Sequence, residues 1–160
     1  MIDFEKLRLI VAKGLKDYCA CDVIRSNQNE DPEVDTYLSY TIINVMRENV
    51  GTYGAYEDGI DRKAFTQTWS ISSISPDNST SIFNACKARE WLDHVGTIYL
   101  NDNGVVVQSV GSVTNRDNFL SVEYEYKNGF DVVFWLMDET EETAEQEYIE
   151  SVDIDNINAN

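Results

Sequence analysis

The run Phe130–Met137 constrains the fold of this chain more than any other segment, because seven of its eight side chains are apolar and only Asp131 is charged. Valine, phenylalanine and tryptophan in such a run favour a β-strand. The pair Asn128-Gly129 precedes it, and Asn-Gly between two strand-like runs predicts a type I′ hairpin turn, in which both central residues need positive φ. The sequence therefore predicts that Phe130–Met137 is the second strand of a hairpin.

A two-residue turn also predicts the register of this hairpin, since the register follows from the length of the loop. Five cross-strand pairs are expected: Lys127 with Phe130, Tyr126 with Asp131, Tyr124 with Val133, Val122 with Trp135, and Leu120 with Met137.

This register predicts a second strand that is apolar on both faces. One face of the hairpin would carry Leu120, Val122, Tyr124, Val133, Trp135 and Met137. The other face of the second strand would carry Phe130, Val132, Phe134 and Leu136. Helices can cover one of these faces, so the other needs more of this chain or another subunit.

Apolar side chains at steps of three and four predict two long helices. The first covers the opening residues to Tyr18. The second covers Thr80–Val95, where Asp77 suits a helix start and Gly96 suits a helix end. For the residues after Val95, a continuation of the second helix towards Leu100 is favoured over a hairpin that turns at residues 102–104. The stripe of the first helix consists of Phe4, Leu7, Val11, Leu15 and Tyr18.

Further strands are predicted at Tyr37–Met46, Ala64–Ile74 and Val105–Val110, where β-branched and aromatic residues cluster or alternate with polar ones. The glycine-containing segment 48–61 predicts a loop or a long hairpin tip. The predicted fold is a single α/β (α+β) domain over residues 1–160, with a mainly antiparallel sheet and two long helices packed on one face. Residues 138–160 form an acidic C-terminal segment whose end is expected to fray.

The net charge of the chain argues against several classes of binding partner. The chain has 29 acidic and 12 basic residues, a formal net charge of −17 at pH 7. Such an excess disfavours tight nucleic-acid binding and an anionic membrane surface. No apolar run approaches the roughly 18 residues of a membrane span. Three cysteines, an odd number, indicate a reducing compartment rather than a disulfide framework.

No residue pattern nominates a catalytic group, a metal site or a cofactor site. The chain has a single histidine, His94, and the spacing of Cys19 and Cys21 differs from the usual metal-binding pairs. The nucleotide-binding, hydrolase and metalloprotease motifs are absent from the sequence. The expectation is a protein that is not an enzyme and that uses no cofactor.

Arg116 is a candidate binding residue. It lies in a polar turn between two predicted strands, with Asp117 beside it. In so acidic a chain an isolated arginine is expected to have a partner carboxylate, either within the chain or across an interface, and pairing across an interface is favoured. The alternative is an ordinary loop arginine.

The order of motifs resembles the phage neck or tail-terminator family, which occurs in long-tailed and contractile phages and in related prophages and phage-tail-like bacteriocins. The resemblance spans residues 37–137 and is most specific at 124–132, where a basic residue that is usual after Tyr-Glu is replaced by Tyr126. The motifs are the helical Ala85, Ala88, Trp91 and Leu92, then Leu100 with Gly104–Val107, Asn115-Arg116, Tyr124-Glu125-Tyr126 and Asn128–Val132.

The resemblance implies a structural virion protein of the tail or neck, assembled in the host cytoplasm. Such proteins form rings, commonly hexameric, that cap the tail tube, stop its polymerisation and join the neck or head–tail connector. The implied partners are further copies of the chain, the tube protein, the connector and the sheath where one exists, with DNA passing through the lumen. The expected interface residues are Arg116, Asp117, Tyr124, Tyr126, Phe130, Val132 and Phe134.

Composition alone also allows a second function class. An acidic inhibitor or immunity protein that masks a basic partner, such as a nuclease, would have the same charge and the same acid-rich tail. A ring, alone or on tube protein, would indicate the terminator. A monomer that forms a 1:1 complex with a basic protein would indicate the inhibitor.

Overall fold

The computed structural model describes residues 1–26, 32–48, 55–117 and 125–141. It contains one mixed layer of strands and one layer of helices. The elements in chain order are α1 (Phe4–Cys19), β1 (Asp22–Arg25), β2 (Tyr37–Glu48), β3 (Ala55–Glu57), β4 (Ile60–Ser75), α2 (Asn78–Glu90), a π-helical turn (Trp91–Val95), α3 (Thr97–Asp102), β5 (Val106–Val110), β6 (Thr114–Asn115) and β7 (Tyr126–Glu141).

The strands form a seven-stranded sheet in the order β1-β2-β4-β7-β5, with β3 paired to β4 and β6 paired to β7. Every pairing is antiparallel except that of β1 with β2. The two longest strands, β4 and β7, pair along their whole length at the centre of the sheet. The predicted α+β class with a mainly antiparallel sheet is confirmed.

The first helix begins and ends where its capping groups require. The Asp3 carboxylate accepts a hydrogen bond from the backbone N–H of Lys6, and Ala20 closes the helix in the left-handed conformation with φ of 55°. Leu7, Val11 and Leu15 of the predicted stripe are buried, whereas Phe4, in the first turn, is more exposed. The predicted helix is confirmed, and its apolar stripe packs on the sheet.

The second helix extends as the phase of its apolar residues predicts. Helix α2, the π-helical turn and α3 follow one another from Asn78 to Asp102, with a turn at Gly96 between the last two. The Asp77 carboxylate accepts hydrogen bonds from the backbone N–H and the hydroxyl of Thr80. The indole of Trp91 packs so closely on Gly14 of α1 that a Cβ there would overlap the ring, which explains why a helix interior tolerates glycine.

The predicted turn at Asn128-Gly129 is wrong. Strand β7 runs through both residues, which pair with Ser73 and Ser72 of β4. The Asn128 amide donates to the Ser81 hydroxyl at the start of α2, 3.0 Å away. Asn-Gly is a local signal, and here the pairing of two 16-residue strands outweighs it.

A tight turn with positive φ at both central residues occurs instead between β3 and β4. Asp58 and Gly59 have φ of 55° and 77°, and Glu57 pairs with Ile60 across them. This confirms the hairpin-tip alternative for segment 48–61 within its described part. The hairpin register predicted around residue 129 is wrong as well, because Val133 pairs with Thr68 and Trp135 with Thr66. Residues 118–124, including Leu120, Val122 and Tyr124, lie outside the described residues.

The core lies between the helices and one face of the sheet. The even-numbered side chains in the middle of β7 point into it and are almost fully buried. Trp69 of β4 stacks on Tyr40 at 4.8 Å and meets Phe134 edge-on at 5.5 Å. The fully buried Gln67 is hydrogen-bonded to the Val45 carbonyl and to the Trp69 indole. These even-numbered residues are Phe130, Val132, Phe134 and Leu136.

Candidate interface on the open face of the sheet

The opposite face of the sheet is uncovered by any helix in the described part of the chain. We call it the open face and define it by the odd-numbered residues of β7 from Lys127 to Met137 and their β4 neighbours from Ala64 to Ile74. Asp131 and Met137 on this face are exposed, and Val133 and Trp135 are half-buried. The contrast with the fully buried even-numbered residues follows from the two-residue period of a strand.

Four side chains form an apolar strip at one end of the open face. Val133, Trp135 and Met137 follow one another at every second position of β7, and Val106 of β5 lies directly across from Trp135. Val106 and Met137 are 39% and 38% exposed. A tryptophan among exposed aliphatic side chains is typical of a protein–protein contact surface.

Arg116 lies at the other end of the open face and holds three strands together. Its Nη2 donates to Asp131 Oδ1 at 2.9 Å, and its Nη1 donates to Ser70 Oγ at 2.6 Å. A longer bond of 3.3 Å joins Nη1 to Ser72 Oγ. The guanidinium thus links the β6 side of the sheet to β7 and β4, and its partner carboxylate is in the same chain.

Asp117 shapes the turn that presents Arg116. Its Oδ1 accepts from the backbone N–H of Lys127 at 2.6 Å, and its own N–H donates to Asn115 Oδ1 at 2.8 Å. The Arg116 N–H donates to the Lys127 carbonyl at 2.7 Å. Backbone and side-chain bonds therefore fix the residues on both sides of Arg116 against the start of β7.

The structure separates the predicted interface residues into three groups. Arg116 and Asp117 lie at the open face or its border, and the half-buried Tyr126 begins β7 opposite Ser75. Tyr124 lies outside the described residues. Phe130, Val132 and Phe134 belong to the core of the subunit, so their apolar surface is already covered within one chain.

The four strip residues were not among the predicted interface residues, although the sequence contains a signal for their exposure. Asp131 is the one charged residue of the run, and it shares the odd-numbered face with Val133, Trp135 and Met137. A charge in a central strand marks the side that meets solvent or a partner. The assumed hairpin obscured this signal, because it gave that face an apolar partner strand.

Replacement of Arg116 by alanine should lower the free energy of unfolding of the monomer by about 1–2 kcal/mol, since a partly exposed ion pair and two hydroxyl hydrogen bonds are lost together. Urea denaturation at low protein concentration measures this loss. Lys127→Ala, a neighbouring cation without an ion pair in the described structure, is the control. A loss below about 0.5 kcal/mol, as for an ordinary surface residue, would contradict the bridging role.

The other candidate chemistry does not converge on a site in the described ranges. Within residues 1–26, 32–48, 55–117 and 125–141, no three histidine, cysteine or acidic side chains come together as a metal would require. Cys19 is buried and Cys21 is half-buried beside it; a hydrogen bond from the Cys19 thiol lowers the pKa of Cys21. No helix among the described residues has both the length and the hydropathy to cross a membrane.

The fold and its open face define a small α+β protein with one sheet surface suited to binding other proteins. Comparison with protein families identifies the family to which this protein belongs. The family model described as phage neck terminator protein matches residues 9–160, so the chain belongs to the phage neck terminator proteins. This family is structural and belongs to the tail and neck of the virion. The comparison with curated proteins gives no match.

Proposed function

We propose that this chain is the subunit of a ring, hexameric as the family resemblance implies, that caps the phage tail tube, stops its polymerisation and joins the tube to the neck or connector. The single observation that carries the proposal is the open face. In the described ranges, helices cover one side of the sheet, and the other side carries an apolar strip of Val106, Val133, Trp135 and Met137. A neck terminator has to bind several other protein subunits, and the open face offers an apolar surface for such contacts.

The rigidity of the open face supports a role in assembly. Its centre consists of β4 and β7, which pair over sixteen consecutive residues, and Arg116 clamps the two strands beside the strip. A preformed surface loses little conformational entropy on binding. The proposed partners are other copies of the chain, the tube protein, the connector and, in a contractile tail, the sheath. The negative charge would let DNA pass through the lumen without binding.

Native mass spectrometry of the purified chain, alone and with tube protein, tests the proposal. The expected result is a closed oligomer, and tails assembled without the chain should lack a defined end and vary in length. A chain that stays monomeric in both mixtures and leaves tail length unchanged would refute it. A monomer that instead captures one basic protein in a 1:1 complex would support the inhibitor function.

Assembly should weaken as the salt concentration falls. Six copies would carry a formal charge of −102, six times −17, and repulsion acts over about 30 Å at 0.01 M salt but only about 8 Å at 0.15 M. Sedimentation velocity at fixed protein concentration should therefore show more monomer at low ionic strength. Rings that persist unchanged or grow at low salt would show that repulsion does not limit assembly.

A further inference from the structure

We infer that the open face binds a second copy of this chain, with Trp135 at the centre of the contact. This inference rests on the proposed function, since it names the partner of the surface that carries it. The alternative occupant, the tube protein, is one of the outcomes of the test below.

The distribution of charge on the open face favours a partner that is itself negatively charged. Two copies that each carry −17 can meet only where acidic groups are scarce or neutralised. The alternate positions of β4 from Ala64 to Ile74 and of β7 from Lys127 to Met137 contain one acid, Asp131. That acid is bound by Arg116 at 2.9 Å, so the centre of the open face carries no uncompensated negative charge.

One acidic residue at the border of the open face is neutralised in the same way. Beyond Met137 the next acid on this face is Glu139, and it forms a cross-strand ion pair with Arg62 of β4 at 2.9 Å. On the β2 side, Arg47 pairs in register with Thr66. An acid-poor, paired surface on so acidic a chain is what contact between identical copies requires, whereas a neutral or basic partner would impose no such requirement.

Next to this neutral centre, the apolar strip supplies the binding energy. Trp135 stands between Val106 on β5 and Thr66 on β4, so it projects from the middle of three paired strands. Tryptophan is the residue type most enriched among the few side chains that dominate interface energies. Its half-buried ring in the single chain leaves apolar surface for the neighbouring copy to cover.

The tryptophans of the chain provide a direct test. The chain has three, and Trp69 and Trp91 are buried, whereas Trp135 is half-buried on the open face. Acrylamide quenching of the intrinsic fluorescence therefore reports chiefly on Trp135. We expect the quenching constant to fall about two-fold or more as the purified chain assembles with increasing concentration, because the core of an interface excludes solvent.

The outcomes separate this inference from the proposed function. Oligomers in sedimentation with Trp135 still open to acrylamide would overturn the inference and leave the ring intact. If Trp135 becomes protected from acrylamide only when tube protein is added, the open face binds the tube protein, and the inference is overturned. A chain that never assembles and does not affect tail length would refute both the ring and this contact.

A pair of variants gives an independent measurement. Trp135→Ala should raise the concentration of half-assembly by about 30-fold or more, the effect of removing a dominant interface side chain. Phe83→Ala is the matched control, because Phe83 is an aromatic residue that is 64% exposed on α2, in the helical layer; it should leave assembly unchanged. If Trp135→Ala fails to fold, Met137→Glu at the exposed end of the strip puts a negative charge into the same contact and should give the same loss. Equal assembly of all the folded variants would overturn the inference.

Discussion

Replacement of Gly129 by valine should lower the free energy of unfolding by about 3 kcal/mol, at the upper end of the range for an overpacked interior. Gly129 lies in β7 between β4 and β6. A Cβ at this position would overlap the Ile71 carbonyl and stand 2.9 Å from the Ser72 Cα. Both are backbone atoms of the central strand β4, so relief of the clash would require separating the paired strands.

Two controls distinguish this close approach from a turn. Gly129→Asn should be nearly as damaging as the valine variant, although asparagine is well tolerated at a type I′ turn. Gly59→Ala places a side chain at φ of 77° with open space around it, so it should cost only about 1 kcal/mol of backbone strain. Urea unfolding measures all three variants. A stable Gly129→Asn protein would mean that residue 129 is not inside a paired strand.

Replacement of Phe134 by alanine should cost about 3–5 kcal/mol, the usual loss for a large aromatic residue removed from a core. Phe134 is fully buried and meets the Trp69 ring edge-on at 5.5 Å. The cavity would open under the helical layer, where rigid strands on one side limit its collapse. The variant therefore tests the assignment of Phe134 to the core of the subunit instead of to an interface.

Trp135→Ala is the matched control, because the two residues are adjacent in β7 and point to opposite faces. In the monomer it should cost about 1 kcal/mol, a typical value for a substitution outside the core. Chemical denaturation at a protein concentration below the assembly range measures both variants. A Phe134→Ala monomer as stable as the Trp135→Ala monomer would contradict the assignment of the even-numbered face to the core.

The elements with local signals could be predicted from the amino-acid sequence. The three-and-four spacing of Leu7, Val11 and Leu15 requires a helix that buries one stripe, and the capping aspartates Asp3 and Asp77 set where the two long helices begin. The apolar run at residues 130–137 predicts a strand inside a sheet. These signals suffice to predict the α+β class, because the spacing of apolar residues in a helix differs from their spacing in a strand.

Long-range strand pairing and helix packing settle the features that local signals leave open. Asn128-Gly129 has the chemistry of a turn, yet the residues lie within β7, because extended pairing with β4 satisfies more backbone groups than a tight turn would. The packing of α1 and α2 decided which face of β7 meets the helices. An apolar strand with side chains on both faces can be covered from either side, and a one-residue change of register exchanges the two.

The candidate interface likewise has features that the sequence predicts and features that depend on the three-dimensional structure. The sequence marked Arg116 as an arginine in need of a carboxylate, and Asp131 as the one charge in an apolar run. Only the pairing of β6 with β7 brings Arg116 within 2.9 Å of Asp131. The packing of the helices on the other face leaves Trp135 on the uncovered side. The alternation of side chains along a strand is local and can be read from sequence, whereas the choice of the side that remains open depends on where α1 and α2 pack.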